Sequence, residues 1–175
     1  MAFICLLVVL AGCENGPRIS EETANQIASQ VSVQRDTFKK TVTAFSPGTR
    51  FTIQGTGVFF YQLYAVYSTD NPKEISYGIF VSTERNASSS WAVWQTTHDS
   101  QGAEFPTRRT DSQVKNSGSY ADAEEKVNID LTRAYLERVA ATGTRLRLEG
   151  ERAQQEFVIQ PQLARGFLSA VDQLR

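Results

Sequence analysis

The sequence predicts an α+β protein: a mainly antiparallel β-sheet with one or two short helices packed on it. Three observations carry that expectation. Many segments alternate apolar with polar or small residues, the period of a half-buried strand. Breaks rich in Gly, Pro, Asn and Ser separate them at short intervals, favouring antiparallel neighbours over long crossovers. Only two stretches place apolar residues at helical spacing, and they come late in the chain.

In chain order, Phe51-Thr52-Ile53 alternates first. From Val58 to Tyr67 the alternation gives way to two apolar sets, Val58, Phe60, Tyr64, Val66 and Phe59, Tyr61, Leu63, Tyr67. Such a strand is expected at the centre of the sheet, covered on both faces. Ile75, Tyr77, Ile79 and Val81 alternate again, as do Val127, Ile129 and Leu131, then Leu146 with Leu148, and Phe157 with Ile159. Arg145, Arg147 and Glu149 interleave with Leu146 and Leu148, so that strand should have one wet face. Ser46-Pro47-Gly48, Asp70-Asn71-Pro72, Asp99-Ser100-Gln101-Gly102 and Ser117-Gly118 read as turns. One helix is expected from Thr132 to Ala141, capped by Asp130 and ended by Gly143. A second should begin at Pro161, a residue suited to a first helical turn, and dock its Leu163, Phe167, Val171, Leu174 stripe on the sheet.

The chain has 175 residues, of which 41% are apolar and 21% charged, the proportions of one globular domain. Net charge is -1 and no basic stripe is visible, so nucleic acid is not an expected partner. The basic doublets Lys39-Lys40 and Arg108-Arg109 read as solvated strand edges.

Ala2 to Ala11 is almost wholly apolar but only half the roughly 20 residues that a spanning helix needs. Glu14, Asn15, Gly16 and Pro17 then end any helix. The run has the length of a signal-peptide core, although nothing before Cys13 is charged; a few basic residues upstream of Met1 would complete the pattern. Leu10-Ala11-Gly12-Cys13 resembles the lipobox of bacterial lipoproteins. The resemblance implies cleavage before Cys13 and a thioether from its sulfur to a diacylglyceryl group. Further acylation of the freed amine gives the two or more chains that durable anchoring needs. Glu14 stands where some lipoproteins carry an inner-membrane retention Asp, so the family pattern leans toward the outer membrane in a Gram-negative cell. On this reading residues 1–12 are the leader, 13–34 a polar tether and 35–175 the folded body. Within the tether, Ser20 is placed to cap a short helix from Glu21 to Ala28. Cys5 leaves with the leader, so the mature chain has no cysteine pair for a disulfide or a thiolate metal site. The stretches Gly143–Gly150, Phe157–Pro161 and Gly166-Phe167-Leu168 resemble uncharacterised bacterial lipoproteins that finish with a strand pair and a short helix. That likeness implies fold and no activity.

Chemistry is sparse. His98 is the one histidine, and His98-Asp99-Ser100 cannot converge as a triad, because neighbours on an extended chain point to opposite faces. No Gly-x-Ser-x-Gly elbow presents a nucleophile, and His98 reads as part of a surface turn. Asp70, Asp99, Asp111 and Asp122 read as turn residues and Ala123-Glu124-Glu125-Lys126 as a solvated strand start, so no metal site is expected. Gly55-Thr56-Gly57 lacks the third glycine and following helix of a dinucleotide loop, which leaves a turn or bulge and no cofactor. Asn86-Ala87-Ser88 matches a glycosylation sequon by chance. Trp91 and Trp94 would face opposite sides of one strand, one inside and one exposed.

The expectation is therefore a non-enzymatic lipoprotein, bound to the membrane through Cys13, that contacts another envelope protein. A small-molecule or lipid-binding module with a pocket between sheet and C-terminal helix is the alternative. A hydrolase working with carboxylates alone ranks third.

Overall fold

Residues 24–53, 57–86, 91–117 and 120–174 are described by a computed structural model. In chain order its elements are α1 (Ala24–Ser29), β1 (Ser32–Asp36), β2 (Thr41–Phe45), β3 (Thr49–Ile53), β4 (Gly57–Ser68), β5 (Asn71–Asn86) and β6 (Trp94–Asp99). There follow β7 (Glu104–Phe105), β8 (Thr107–Ser117), β9 (Tyr120–Leu131), α2 (Arg133–Thr142), β10 (Thr144–Gly150), β11 (Gln154–Ile159) and α3 (Pro161–Gln173). All strand pairs are antiparallel. A seven-stranded sheet runs β1-β2-β4-β5-β9-β8, with β3 also on β4, and a four-stranded sheet runs β11-β10-β6-β7.

The doubly apolar segment is β4, and it is central. Its second half pairs with β2 and its first half with β3, so β2 and β3 act as one interrupted strand. Ser46 bridges the break: its amide donates to the Leu63 carbonyl at 2.9 Å, and its Oγ accepts from the Leu63 amide at 2.9 Å. One face of β4, Phe59, Tyr61, Leu63, Ala65 and Tyr67, is buried in the core together with Ile79, Val81, Val127 and Ile129. The four-stranded sheet covers one end of this face, where Phe157 stacks between Phe59 and Tyr61 and Tyr61 donates to the Val158 carbonyl at 2.6 Å. α3 covers the other end, where Tyr67 donates to the Leu174 carbonyl at 3.3 Å. The opposite face of β4 is only partly covered: Tyr64 is buried, but Val58, Phe60 and Val66 are half-buried. The expectation of full cover on both faces therefore holds for one face alone.

Thr132, not Asp130, caps α2, accepting from the Tyr135 amide at 3.1 Å. β9 stays paired with Tyr77 up to Leu131, which leaves Asp130 in the strand and out of cap position. Gly143, at φ +72°, ends α2 in the left-handed region as expected, donating to Val139 at 2.7 Å. Arg133 then clamps the helices: its guanidinium holds Asp172 of α3 bidentately at 2.6 and 2.8 Å, with Nε on Glu137. Pro161 opens α3, and Leu163, Phe167 and Val171 are fully buried.

The boundary expected at Gln34 moves toward the N-terminus. Residues 24–34 form α1 and part of β1, and Ile27 is 1% exposed beneath α3. A Cβ on Gly166 would lie 2.5 Å from the Ala24 carbonyl, so this glycine is what lets α1 seat. Residues 1–23 lie outside the described residues, and with them Cys13, the lipobox, Ser20 and the start of the expected helix.

Burial raises the pKa of three phenols. Tyr135 is pushed up to about 12 by burial and by the Asp99 carboxylate, against Thr144 and Arg138. Tyr61 is raised by burial, and Tyr64 by burial and Asp130. The unfolded chain releases these protons near pH 10, before the folded chain does, so rising pH draws the equilibrium toward unfolding. Stability contributed by Tyr135 is whole below pH 10 and is lost between 10 and about 12. An ultraviolet tyrosinate titration should show a late fraction released together with unfolding; uniform ionisation near pH 10 of a still folded chain would contradict this.

Candidate functional site

The half-covered side of the seven-stranded sheet carries a feature that suggests recognition. Register places Phe60 opposite Ser82 and Val58 opposite Glu84, with Lys126 and Glu124 next across β9. These side chains, with Phe80 and Arg50, line an open depression of about 240 Å³. Phe60 and Phe80 meet edge to face with ring centres 6.4 Å apart. Gly48 lets the Phe60 ring lie against the backbone, since a Cβ there would be 2.1 Å from Phe60 Cε2.

The rim is charge-balanced. Arg50 Nη2 lies 3.7 Å from Glu84. Glu124 is only 5% exposed and accepts from Ser82 Oγ at 3.0 Å and Gln113 Nε2 at 2.6 Å, with Lys126 Nζ at 3.3 Å. Lys126 reaches Asp111 as well, at 3.2 Å, and hydrogen bonding to Asp111 holds its ammonium pKa above the usual value. Further along the face, Arg108 and Tyr64 converge on Asp130 at 2.9 and 3.5 Å. Apolar rings framed by paired charges can seat another surface and fix its orientation. The carboxylates here are already occupied by donors and cations, an arrangement suited to positioning.

The neighbouring acid does a different job. Glu125 points to the core side, 2% exposed, and accepts from the amides of Ala92 and Val93 at 2.7 and 3.0 Å. Val93 has φ +52°, a costly conformation for a β-branched residue, and the carboxylate pins it there. Trp94 is buried beside it and donates Nε1 to Thr83 Oγ1 at 3.0 Å. Ala123-Glu124-Glu125-Lys126 is thus the interior of a paired strand, with one acid serving each face, and the solvated start expected from its charge is corrected. Trp94 packs inside as one of the pair was expected to; Trp91, just ahead of β6, is half-buried.

His98 lies within β6, paired with Arg147 and Glu104, and not in a turn. Its Nε2 is 4.0 Å from Glu149 on the wet face of the small sheet. Asp99 faces elsewhere: its Oδ1 accepts from the amides of Gln101 and Ala103, and its Oδ2 from Tyr135 at 3.1 Å. The triad residues therefore stay apart. Asp70 sits in the β4–β5 turn, paired with Lys40, whereas Asp111 and Asp122 belong to β8 and β9. Lys39-Lys40 closes the β1–β2 turn, and Arg108-Arg109 lies on the exposed edge strand β8. Among the described residues no three His, Cys, Asp or Glu side chains gather as a metal site. None of their helices is long and apolar enough to cross a membrane. Gly55, Thr56, Ala87, Ser88 and Gly118 lie outside the described residues.

No family model, no curated protein and no solved structure matches this chain.

Proposed function

We propose that this chain is a lipid-anchored protein of a bacterial envelope, held by lipid on Cys13, which binds another envelope protein through the outer face of its seven-stranded sheet. It catalyses no reaction of its own on this reading. The lipobox residues Leu10-Ala11-Gly12-Cys13 support the anchor. The observation that carries the contact is the incomplete cover of Val58, Phe60, Val66 and Phe80 on strands whose other face is buried. Aromatic anchors in a shallow pocket with a polar rim are the features that dominate protein–protein affinity. The depression, about 240 Å³, is small beside the roughly 300–1,000 Å³ of small-molecule sites, and suits one anchoring side chain of a partner. That comparison ranks the protein contact above the ligand-binding reading.

Cys13→Ala tests the anchor. It should abolish fatty-acid labelling and leave an uncleaved precursor, because no other residue supplies the thioether. Labelling that persists in the variant would sink the anchor. Phe80→Arg tests the face: a partner co-purified with the wild-type chain should be lost, while the unfolding midpoint stays near wild type.

A further inference from the structure

Phe38 is 99% exposed, at the tip of the β1–β2 hairpin, while the other aromatic rings among the described side chains are buried or half-buried. The tip is braced. Asp36 Oδ1 accepts from the amides of Phe38 and Lys39, each at 3.0 Å. Lys40 adopts φ +52°, its carbonyl accepts from the Thr69 amide at 2.8 Å, and its ammonium holds Asp70 at 3.0 Å. These bonds hold a phenyl ring wholly in water at the extremity of the hairpin.

The charges beside it indicate what the ring meets. Arg35, Lys39, Lys40 and Lys73 outnumber Asp36, Asp70 and Glu74 by one at this end, where the whole chain carries net charge -1. Asp70 and Lys40 pair with each other, which leaves Arg35, Lys39 and Lys73 against Asp36 and Glu74. An apolar ring flanked by basic side chains is the pattern that sits at the headgroup boundary of an anionic bilayer.

Reach agrees. Ala24 lies against Gly166, and the C-terminal end of α3 meets Tyr67 near the hairpin end of the sheet. From Gly166 to Leu174 is about 12 Å along the helix axis, and from Val42 to Phe38 about 13 Å of strand and turn. The eleven residues from Cys13 to Ala24 span up to about 36–40 Å when extended. A lipid on Cys13 therefore leaves enough chain for the tip to touch the same membrane.

We propose that Phe38, with Lys39 and Arg35 beside it, is a membrane wedge that enters the headgroup region of an anionic bilayer and sets the orientation of the anchored domain. This rests on the reading that Cys13 carries the lipid. The wedge holds the hairpin end down, so the face bearing Phe60 and Phe80 stands across the membrane plane and is open to a partner.

The test uses the mature lipidated chain in vesicles of equal parts phosphatidylcholine and phosphatidylglycerol, with bromine on a fraction of the acyl chains. Phe38→Trp adds an indole at a site with no packing to disturb, and its emission is read as the difference from wild type. The added emission should be blue-shifted and largely quenched by bromine, and Lys39→Glu in the same background should restore most of it. Flotation with the vesicles reports the anchor separately. An added indole that stays unquenched on floating protein overturns the wedge alone, and a chain that fails to float overturns wedge and anchor together. An indole unquenched by vesicle lipid but shielded in whole envelopes overturns the lipid contact in favour of a protein pocket.

Discussion

Glu125→Ala is expected to be among the most destabilising single changes in this protein, costing about 2–6 kcal/mol, because it orphans two amides, each worth roughly 1–3 kcal/mol when buried without a partner. The amides are those of Ala92 and Val93, held at 2.7 and 3.0 Å. They fix the approach to β6, where Val93 sits at φ +52° and Trp94 is buried. Losing the carboxylate frees this segment to leave the left-handed region and pulls at the β6 end of the small sheet. A total stability of about 5–15 kcal/mol makes that a large share. Glu125→Gln keeps one acceptor oxygen but turns an amide donor toward the second N–H, so its loss should fall between wild type and alanine. Urea unfolding of the three proteins checks the order; an alanine variant as stable as wild type would show that Glu125 does not hold the segment.

Gly166→Leu should be comparably severe. Even a Cβ would stand 2.5 Å from the Ala24 carbonyl and 2.7 Å from Ile27 Cβ, and the first of these contacts is backbone that cannot step aside cheaply. The helices must part, and Ile27 returns to water. Burying a side chain of that size contributes about 1.5–3 kcal/mol, and the uncovered stripe of α3 adds to the loss. Hydrogen exchange should show α1 amides losing protection while β4 and β5 keep theirs. Uniform loss across the sheet, or none, would contradict the seating of α1 on α3. The position matters for the proposed function because α1 sets where the chain leaves the domain toward Cys13.

How much of this was legible in the residues depends on where each strand's energy comes from. Core-facing alternation announced β4, β5, β9, β10 and β11, and Pro161 and Gly143 marked helix ends, because burial on one face leaves a period in the sequence. β8 left none. Thr107–Ser117 is an edge strand rich in polar residues, held by its ladder to β9 and by Lys126–Asp111. Residues 32–34 of β1 fall in the segment that reads as tether for the same reason, since most of β1 is exposed and its support comes from β2. The extent of β5, from Asn71 to Asn86, exceeded its apolar segment because Ser82 and Glu84 face the polar end of the outer side.

The two acids show the limit most clearly. Glu124-Glu125 reads as solvated from composition, yet both are buried and accept from groups on other segments: Ser82 and Gln113 for one, Ala92 and Val93 for the other. No local pattern encodes partners brought by pairing across three strands. The outer depression was half visible. The second apolar set of β4 was evident from Val58, Phe60, Tyr64 and Val66, but that the fold leaves it half-open follows from the small sheet and α3 both lying on the other side.

The most direct test of the central claim is photo-crosslinking in living cells from a benzoyl-phenylalanine placed at position 60, in the wild-type chain and in Cys13→Ala. The account predicts one discrete protein adduct with the anchored chain, weakened or lost when the anchor is removed. Adducts to lipid alone, or none although the protein is folded and anchored, would contradict a protein-binding role for this face.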